Sequence, residues 1–331
     1  MPVNQAIILA SRPKGAAGLE NFSLVENPVP EPQAGQVLVR HLFLSLDPYM
    51  RGRMNEGRSY AAAQALGEVM IGGTVGEVIA SENPRFKIGD KVAGMGGWQT
   101  FALSDGRDLH RLDKSVPLSA YLGPVGMPGV TAWYGLKKII APKPGETLVV
   151  TAASGAVGSV VGQLAKIAGA RVVGVAGGAT KCAYVVQELG FDACVDHRAP
   201  DFQAEFNCAT AGGINGLFEN VGGEVLGMSL RRLNPFARIA ICGLVASGYD
   251  GTPTPVKDIS NMLTMRARMQ GFIVTEHLAI WPQALAELSA LVASGRITYR
   301  ESIVDGLAAA PAAFLGLLRG ENFGKMLVRL G

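Results

Sequence analysis

The chain has 331 residues, of which 48% are hydrophobic and 17% charged, and its formal net charge is +3. These values exclude a disordered chain and are typical of a globular protein of about two domains. The 30 basic residues are scattered, which argues against a nucleic-acid partner. No apolar run is long enough to span a membrane, and residues 1–15 lack the pattern of a signal peptide. We therefore expect a cytoplasmic protein with no membrane partner.

The first part of the chain, from Asn4 to about Leu122, consists of short apolar segments separated by glycine and proline. This pattern predicts a mainly β, barrel-like domain with few helices. The predicted strands are residues 6–10, 22–26, 36–46, 73–81, 91–94 and 98–103.

From Pro124 onward, strand and helix signals alternate, which predicts an α/β fold with a doubly wound parallel sheet. Six strands are predicted, around Leu148, around Val172, and at 193–196, 216–219, 238–242 and 271–275. An amphipathic helix is predicted at 280–294, followed by a strand, a helix starting near Pro311 and a last strand at 325–329. We expect the last segment to return to the first domain, which gives one domain of 1–124 with 296–331 and a second of 125–295.

A glycine motif follows the first predicted strand of this sheet. The β-branched run 147–151 is followed by Ala153-Ser-Gly155-Ala156-Val157-Gly158 and then by a helical apolar pattern that ends at Gly169. Gly155 would let the backbone approach a pyrophosphate, and Gly158 would let the helix pack close to the strand. Because the motif lies between a buried strand and an amphipathic helix, it predicts a dinucleotide site at the helix N-terminus.

The end of the second strand predicts which dinucleotide binds. NAD sites usually carry an acidic residue about 20 residues after the motif, where it holds the ribose hydroxyls. This chain has Gly177-Gly178 there, followed by Lys181 at the start of the next helix. The missing carboxylate removes a source of repulsion, and the lysine adds a cation, so the sequence favours NADPH.

The distribution of metal-ligating residues argues against zinc. The four cysteines all lie in the second half of the chain, and the four histidines are dispersed. Zinc alcohol dehydrogenases polarise a carbonyl with their metal, and this chain offers no such electrophile in its first domain. Conjugate reduction is easier, since hydride goes to the β-carbon of an enone or enal and the enolate oxygen needs only hydrogen-bond donors.

Three tyrosines are candidates for that donor, because a phenol with a pKa near 10 stays protonated at neutral pH. Tyr249 follows the predicted strand 238–242, at the edge of the sheet where ligands bind. Tyr60 and Tyr49 belong to the first domain. Tyr49 follows a proline and is the candidate most consistent with a structural role.

Several motifs resemble one protein family and span nearly the whole chain. The sequence is similar to the zinc-independent prostaglandin, alkenal and curcumin reductases of the medium-chain dehydrogenase/reductase superfamily. The matching segments are SLDPYMRGR at 45–53, GDKV at 89–92, GMPGVTAWY at 126–134, AASGAVG at 152–158, FENVGG at 218–223, RIAICG at 238–243, GFIV at 271–274 and GENFGK at 320–325. The segment FDACVDHR at 191–198 looks most like the bacterial curcumin reductases.

The resemblance implies a GroES-like first domain, a homodimer and a set of NADPH contacts. The implied pyrophosphate contacts are Gly155, Ala156, Val157 and Gly158, and Lys181 would meet the 2′-phosphate. The implied ribose and nicotinamide contacts are Asn220, Cys242 and the residues up to Tyr249, Phe272 to Val274, and Asn322. His197 stands where several relatives carry tyrosine, and an imidazole could serve there. Asn220 can also be read as a turn residue before two glycines.

The sequence therefore predicts an NADPH-dependent reductase of the carbon–carbon double bond in α,β-unsaturated ketones or aldehydes. A quinone reductase is an alternative, because it uses the same hydride with a different acceptor. A non-catalytic NADPH-binding protein is the alternative of another class.

Overall fold

The computed structural model describes residues 3–247 and 255–331. Its strands, in chain order, are β1 Val3–Leu9, β2 Phe22–Pro28, β3 Val37–Ser45, β4 Thr74–Ser81, β5 Lys91–Gly94, β6 Phe101–Ser104, β7 His110–Arg111, β8 Thr147–Thr151, β9 Arg171–Ala176, β10 Ala193–Asp196, β11 Ile214–Glu219, β12 Leu233–Ile241, β13 Arg268–Gly271, β14 Glu301–Asp305 and β15 Lys325–Arg329. Its α-helices are α1 Tyr49–Arg53, α2 Met127–Tyr134, α3 Gly158–Ile167, α4 Ala179–Gln187, α5 Phe202–Ala209, α6 Gly223–Leu230, α7 Ser260–Thr264, α8 Trp281–Ala293 and α9 Ala310–Leu318. None of the helices in these ranges is long and apolar enough to span a bilayer.

The chain forms two compact units. The β unit comprises Met1–Leu122, Glu301–Asn322 and Met326–Gly331, and the Rossmann unit comprises Gly123–Arg300 and Phe323–Lys325. The domain ranges predicted from the sequence, 1–124 with 296–331 and 125–295, stay our proposal for the parts that fold separately.

The Rossmann unit contains the predicted six-stranded parallel sheet. Its strand order is β10-β9-β8-β11-β12-β13, with every neighbouring pair parallel. The order reverses between β8 and β11, and in doubly wound sheets ligands bind at the carboxyl ends of the strands beside such a reversal. The α/β prediction is therefore confirmed, and the reversal locates the candidate site in this unit.

The strands of this sheet are apolar on both faces, which explains why helices cover both. All five residues of β8 are buried. Leu148 and Val150 pack into one apolar cluster with residues of α2, α3 and α8, whereas Val149 packs into a second with residues of α5 and α6. Burial of each such side chain contributes roughly 1.5–3 kcal/mol. A sheet buried on both faces holds the ends of its strands rigidly, as a binding site requires.

The strand predicted at 271–275 is wrong in position. The sixth strand is β13, Arg268–Gly271, and residues 274–276 form a short 3-10 helix. Because β13 is the last strand of the sheet, Arg268 and Gln270 remain exposed, so the strand has no continuous apolar run. The apolar run Phe272-Ile273-Val274 that suggested a strand lies beyond it.

The β unit is built on an antiparallel sheet of order β14-β15-β3-β4-β5-β7, with β6 paired to β3 and a separate β1–β2 pair. Its main apolar cluster centres on Trp98, which is fully buried. The ring of Phe22 stacks on Trp98 at 5.7 Å, and the ring of Phe314 meets it edge-on at 5.5 Å. Phe314 belongs to α9, so the C-terminal segment supplies part of the core of this unit.

A buried histidine makes the β unit sensitive to acid. The side chain of His41 is 2% exposed, and its Nδ1 donates to the carbonyl oxygen of Gln99 at 2.7 Å. Burial lowers the pKa of His41 to about 4, although that hydrogen bond opposes the shift. Between about pH 6.5 and 4 the unfolded chain therefore binds the proton and the folded chain does not. We therefore expect the free energy of unfolding to decrease as the pH falls from about 6.5 to about 4, by up to about 3 kcal/mol.

The measurement is chemical unfolding of the wild-type protein and of His41→Gln at about pH 7 and about pH 4.5. The wild-type protein should lose more stability between the two conditions than the variant, which has no imidazole to protonate. An equal loss in both proteins would assign the acid sensitivity to other groups.

Candidate functional site

The loop between β8 and α3 has the geometry of a phosphate-binding turn. Its first residue, Ala152, has a positive φ of 50°, and the N–H of Gly155 donates to the carbonyl oxygen of Ala152 at 2.9 Å. A Cβ added to Gly158 would lie 2.4 Å from that same oxygen, so only glycine fits there. A Cβ added to Gly155 would meet no other atom than this oxygen within 4 Å, so the backbone at Gly155 is open to close approach.

The N-terminus of α3 adds hydrogen-bond donors to this loop. Among the described residues no side chain caps the helix at Val157. The N–H groups of Ser159 and Val160 donate to the carbonyl oxygens of Gly155 and Val157, so a phosphate at this helix N-terminus would use the N–H groups that precede them. The C-terminal segment also contributes, because Gly324 forms a parallel β-bridge with Gly155. No local sequence pattern indicates this bridge, which joins residues far apart in the chain.

A cluster of basic side chains follows β9 and β10, and we call Lys181, His197 and Arg198 the basic cluster. Gly177 allows it to form, since a Cβ there would lie 2.8 Å from Nε2 of His197 and 2.9 Å from Nε of Arg198. Burial and then the charge of Arg198 lower the pKa of Lys181. The pKa of His197 is lowered by burial, by Arg198 and by Lys181, against the opposing charge of Asp196. A bound anion would relieve this repulsion.

Asp196, at the end of β10, organises the backbone around the cluster. One of its carboxylate oxygens accepts the N–H of Gly178 at 2.8 Å and the N–H of Arg198 at 2.9 Å. These bonds lower the pKa of Asp196, so it stays charged while it binds backbone amides. The sequence analysis did not predict this role. The residue pattern that could have indicated it is an aspartate at the end of β10, the third strand of the parallel sheet in chain order.

Asn220 lies where β11 ends beside β8. Its amide Nδ2 donates to the carbonyl oxygen of Thr151 at 2.8 Å, and its backbone N–H donates to the Thr151 hydroxyl at 2.7 Å. That hydroxyl donates to a carboxylate oxygen of Glu219, a fully buried residue whose pKa is raised by burial. The turn reading also holds, because Gly222 and Gly223 follow with positive φ. Asn220 thus fixes the strand ends, and its contact with a cofactor stays a prediction.

Cys242 follows β12 directly, and the segment that it begins lies beside the turn at 219–221. Its N–H donates to the carbonyl oxygen of Glu219 at 2.8 Å, and Ala246 bonds in the same way to Val221 at 2.9 Å. Burial, together with the charge of Glu219, raises the pKa of Cys242 to about 12, so its thiol stays protonated and unreactive. Tyr249 lies outside the described residues.

The segment after β13 is anchored in the apolar core. The ring of Phe272 lies 5.4 Å from that of Tyr134 and 6.3 Å from that of Phe218, and the side chain of Val274 is buried. These side chains are used for packing, which leaves the backbone of 272–274 as the part that could meet a ligand. Asn322 belongs to the β unit, and its predicted cofactor contact stays a prediction.

The structure brings Tyr49 and Tyr60 together within the β unit. Tyr49 begins α1, and its pKa is raised by burial and by the neighbouring Asp47 and Tyr60. Tyr60 is 56% exposed; burial of part of its ring raises its pKa, and Arg53 opposes the shift. Both hydroxyls therefore stay protonated at neutral pH and can donate, but only Tyr60 is open to solvent to any large extent.

The described residues contain no group of three or more His, Cys, Asp or Glu side chains arranged to hold a metal ion. Zinc independence stays a prediction, with its own test below.

Comparison with known proteins decides the family. Residues 5–112 match a family model described as the N-terminal domain of oxidoreductase, and residues 156–290 match one described as zinc-binding dehydrogenase. An NADPH-dependent curcumin reductase of Escherichia coli is 48% identical over 99% of this chain and 97% of its own length. Prostaglandin reductase 1 of Rattus norvegicus is 41% identical over 93% of this chain and 94% of its own.

The chain belongs to the medium-chain dehydrogenase/reductase superfamily. Within it, the chain falls in the group of prostaglandin, alkenal and curcumin reductases, as the resemblance predicted. The crystal structure of CurA from Vibrio vulnificus in complex with NADPH superimposes with a TM-score of 0.94 at 46% identity, covering 99% of both chains. The glycine loop and the basic cluster both belong to the Rossmann unit, and their role as one dinucleotide site stays a prediction.

Proposed function

We propose that the protein is an NADPH-dependent reductase of the carbon–carbon double bond in α,β-unsaturated ketones or aldehydes. The observation that carries the proposal is the open phosphate loop at Gly155 in the same unit as the basic cluster. Lys181, His197 and Arg198 lie together beyond the ends of β9 and β10, and a 2′-phosphate is the kind of anion that such a basic cluster binds. The similarity to an NADPH-dependent curcumin reductase supports the substrate class.

Asp196 does not conflict with a choice of NADPH. An acid near the ribose would favour NAD, but the Asp196 oxygen that accepts two backbone amides is already engaged in holding the loop at Gly178. The ends of β9 and β10 therefore carry the basic cluster together with a carboxylate that binds backbone N–H groups of its own loops.

The residues that would hold the cofactor follow from this arrangement. The backbone of Gly155, Ala156, Val157 and Gly158 would bind the pyrophosphate, and the basic cluster the 2′-phosphate. Asn220 and the backbone of 272–274 would adjoin the nicotinamide half, with Cys242 as a neutral wall. When bound, NADPH supplies the hydride that reaches the β-carbon of the substrate.

The remaining chemistry concerns the substrate carbonyl oxygen, where negative charge develops as the enolate forms. A protonated tyrosine hydroxyl stabilises this charge by donating a hydrogen bond, and it can then deliver a proton. Tyr249 and Tyr60 are the proposed donors, and the burial of Tyr49 fits a structural role better. This route needs donors and no Lewis acid.

The test is NADPH oxidation with an enone, with a quinone and with no acceptor. Consumption that requires the enone supports the proposal, and preference for the quinone would favour a quinone reductase. Binding of NADPH with no turnover on any acceptor would leave a non-catalytic NADPH-binding protein.

We also propose a cytoplasmic homodimer. The family resemblance implies the dimer, and two features of the Rossmann unit support it. In the described residues β13 is the outer strand of its sheet, and large apolar side chains nearby are exposed, among them Phe236, Ile259 and Leu263. Sedimentation at micromolar concentration, compared with a variant carrying Leu263→Glu, tests whether this face is the interface.

Removal of metal should not change activity. Exhaustive chelation followed by an enone assay should give unaltered turnover, because the proposed mechanism stabilises the enolate with hydroxyl donors. A zinc alcohol dehydrogenase treated in parallel should lose its activity and so show that chelation was complete. Stoichiometric zinc in the purified protein, with activity lost on its removal and restored on its return, would contradict the prediction.

A further inference from the structure

Two cysteines, Cys182 and Cys194, lie close to the basic cluster along the chain. Cys182 lies in the first turn of α4, and Cys194 lies in β10. Gly174 of β9 lies next to both elements. A Cβ added to Gly174 would lie 3.2 Å from Sγ of Cys194 and 3.0 Å from Cγ1 of Val185. Cys194 therefore points at the face of α4 that carries Val185. Cys182 precedes Val185 by three residues and shares that face, so the two thiols face each other closely enough for each to shift the pKa of the other.

The two thiols differ in how readily they ionise. The hydrogen bond from Cys194 and another from the backbone of Ala176 lower the pKa of Cys182, against burial and the charges of Asp196 and Glu205. The same thiol–thiol bond, burial and neighbouring charge raise the pKa of Cys194. A thiol with a lowered pKa beside one with a raised pKa makes up a dithiol suited to exchange with disulfides.

We propose that Cys182 and Cys194 are a redox modification site, which low-molecular-weight disulfides such as oxidised glutathione convert reversibly into an intramolecular disulfide. Neither residue is completely buried, so a small oxidant can reach the pair. Of the other two thiols, Cys208 is exposed on α5 and Cys242 stays protonated beside Glu219.

The reaction takes two exchange steps. The Cys182 thiolate attacks one sulfur of oxidised glutathione, forming a mixed disulfide and releasing one glutathione thiolate. This step removes the thiolate that held the Cys194 proton, so Cys194 can lose that proton to solvent. Its sulfur then attacks Cys182, the mixed disulfide breaks, and a second glutathione leaves. Two electrons pass from the protein to glutathione, and excess reduced thiol reverses the process.

The disulfide should alter the choice of cofactor, and this consequence rests on the proposed function. A disulfide bond is about 2.05 Å long, shorter than any contact between two thiols, so its closure draws the first turn of α4 toward β10. Lys181 precedes Cys182 directly, and Asp196 follows Cys194 by two residues. Movement of this turn changes the spacing of the basic cluster. We expect the KM for NADPH to rise roughly five- to tenfold, as loss of one charge-assisted contact would give, with little change for NADH.

The experiment treats the purified full chain with oxidised glutathione, traps free thiols by alkylation in acid, and maps the linked peptides by mass spectrometry. The expected product has lost two hydrogen atoms and joins the peptides that contain Cys182 and Cys194. Cys194→Ser should instead accumulate glutathione on Cys182, because the second step has no attacking thiol. Cys208→Ser is the matched control and should form the linked peptide as the wild-type protein does.

Absence of the linked peptide from the wild-type protein under conditions that modify Cys208 would overturn the proposal, and so would glutathione retained on Cys182 with Cys194 intact. These readouts need no activity, so they stand apart from the proposed function. If the linked protein has unchanged KM values for both cofactors, the effect on cofactor choice is wrong. Restoration of the NADPH KM by reduced thiol in the wild-type protein, with no oxidant effect in Cys194→Ala, supports it.

Discussion

Replacement of Tyr249 by phenylalanine is expected to lower the turnover of an enone roughly ten- to a hundredfold. The exchange removes the hydroxyl and keeps the ring, so packing is preserved while the proposed enolate donor is lost. A principal donor at a developing oxyanion can contribute about 2.7–4 kcal/mol. The ribose hydroxyl or water shares this role, so we expect a smaller loss. The measurement is kcat at saturating NADPH, and the KM for NADPH should hardly change.

Tyr49→Phe is the matched control, because it removes a hydroxyl from a residue with a proposed structural role, and Tyr60→Phe tests the second proposed donor. Tyr49 packs against the apolar cluster around Trp98, so its variant should change stability more than turnover. If Tyr249→Phe keeps wild-type turnover on every enone tested, Tyr249 only walls the pocket. Tyr60 would then become the better candidate for the donor.

Replacement of Lys181 by alanine is expected to raise the KM for NADPH roughly tenfold or more and to leave the use of NADH nearly unchanged. A charge-assisted hydrogen bond to a phosphate contributes roughly 1.5–3 kcal/mol, and each 1.4 kcal/mol corresponds to about a factor of ten. Only NADPH carries the 2′-phosphate, so only its binding should respond. Steady-state kinetics with both cofactors measure the difference.

Two further lysine variants separate the phosphate contact from general effects of charge. Lys181→Arg keeps the cation and should retain most of the preference for NADPH. Lys166→Ala removes a cation from the same unit, where Lys166 pairs with Asp192 at 2.8 Å, and it should affect both cofactors equally little. An equal loss with both cofactors in Lys181→Ala would mean that the lysine supports the fold.

The features that the sequence predicted are those encoded by neighbouring residues. Strand β8, the glycines at 155 and 158 and helix α3 follow one another within about one supersecondary unit, so hydrophobic period and glycine spacing suffice to recognise them. The same holds for α8, predicted at 280–294 and observed at Trp281–Ala293, whose apolar face recurs every three to four residues.

The features that the sequence did not predict depend on partners far along the chain. Strand β13 is specified by pairing with β12, and its own residues read as polar. The bridge between Gly155 and Gly324 and the contact between Cys182 and Cys194 likewise arise only when separate segments meet. No local pattern distinguishes such residues from any other glycine or cysteine.

The strand order of the β unit constrains the synthesis of the protein. Strand β15, Lys325–Arg329, lies between β14 and β3 in the sheet, although β3 comes about 280 residues earlier in the chain. Residues 43–45 of β3 therefore emerge from the ribosome long before their partner exists, whereas Gly123–Arg300 is continuous and can collapse as it is made. Vectorial folding usually completes the N-terminal domain first, whereas this pairing leaves the N-terminal sheet incomplete until after Gly123–Arg300 has been made. Until β15 has been made, the nascent N-terminal sheet carries an open edge that other chains can join, which makes this stage the natural one for chaperone protection.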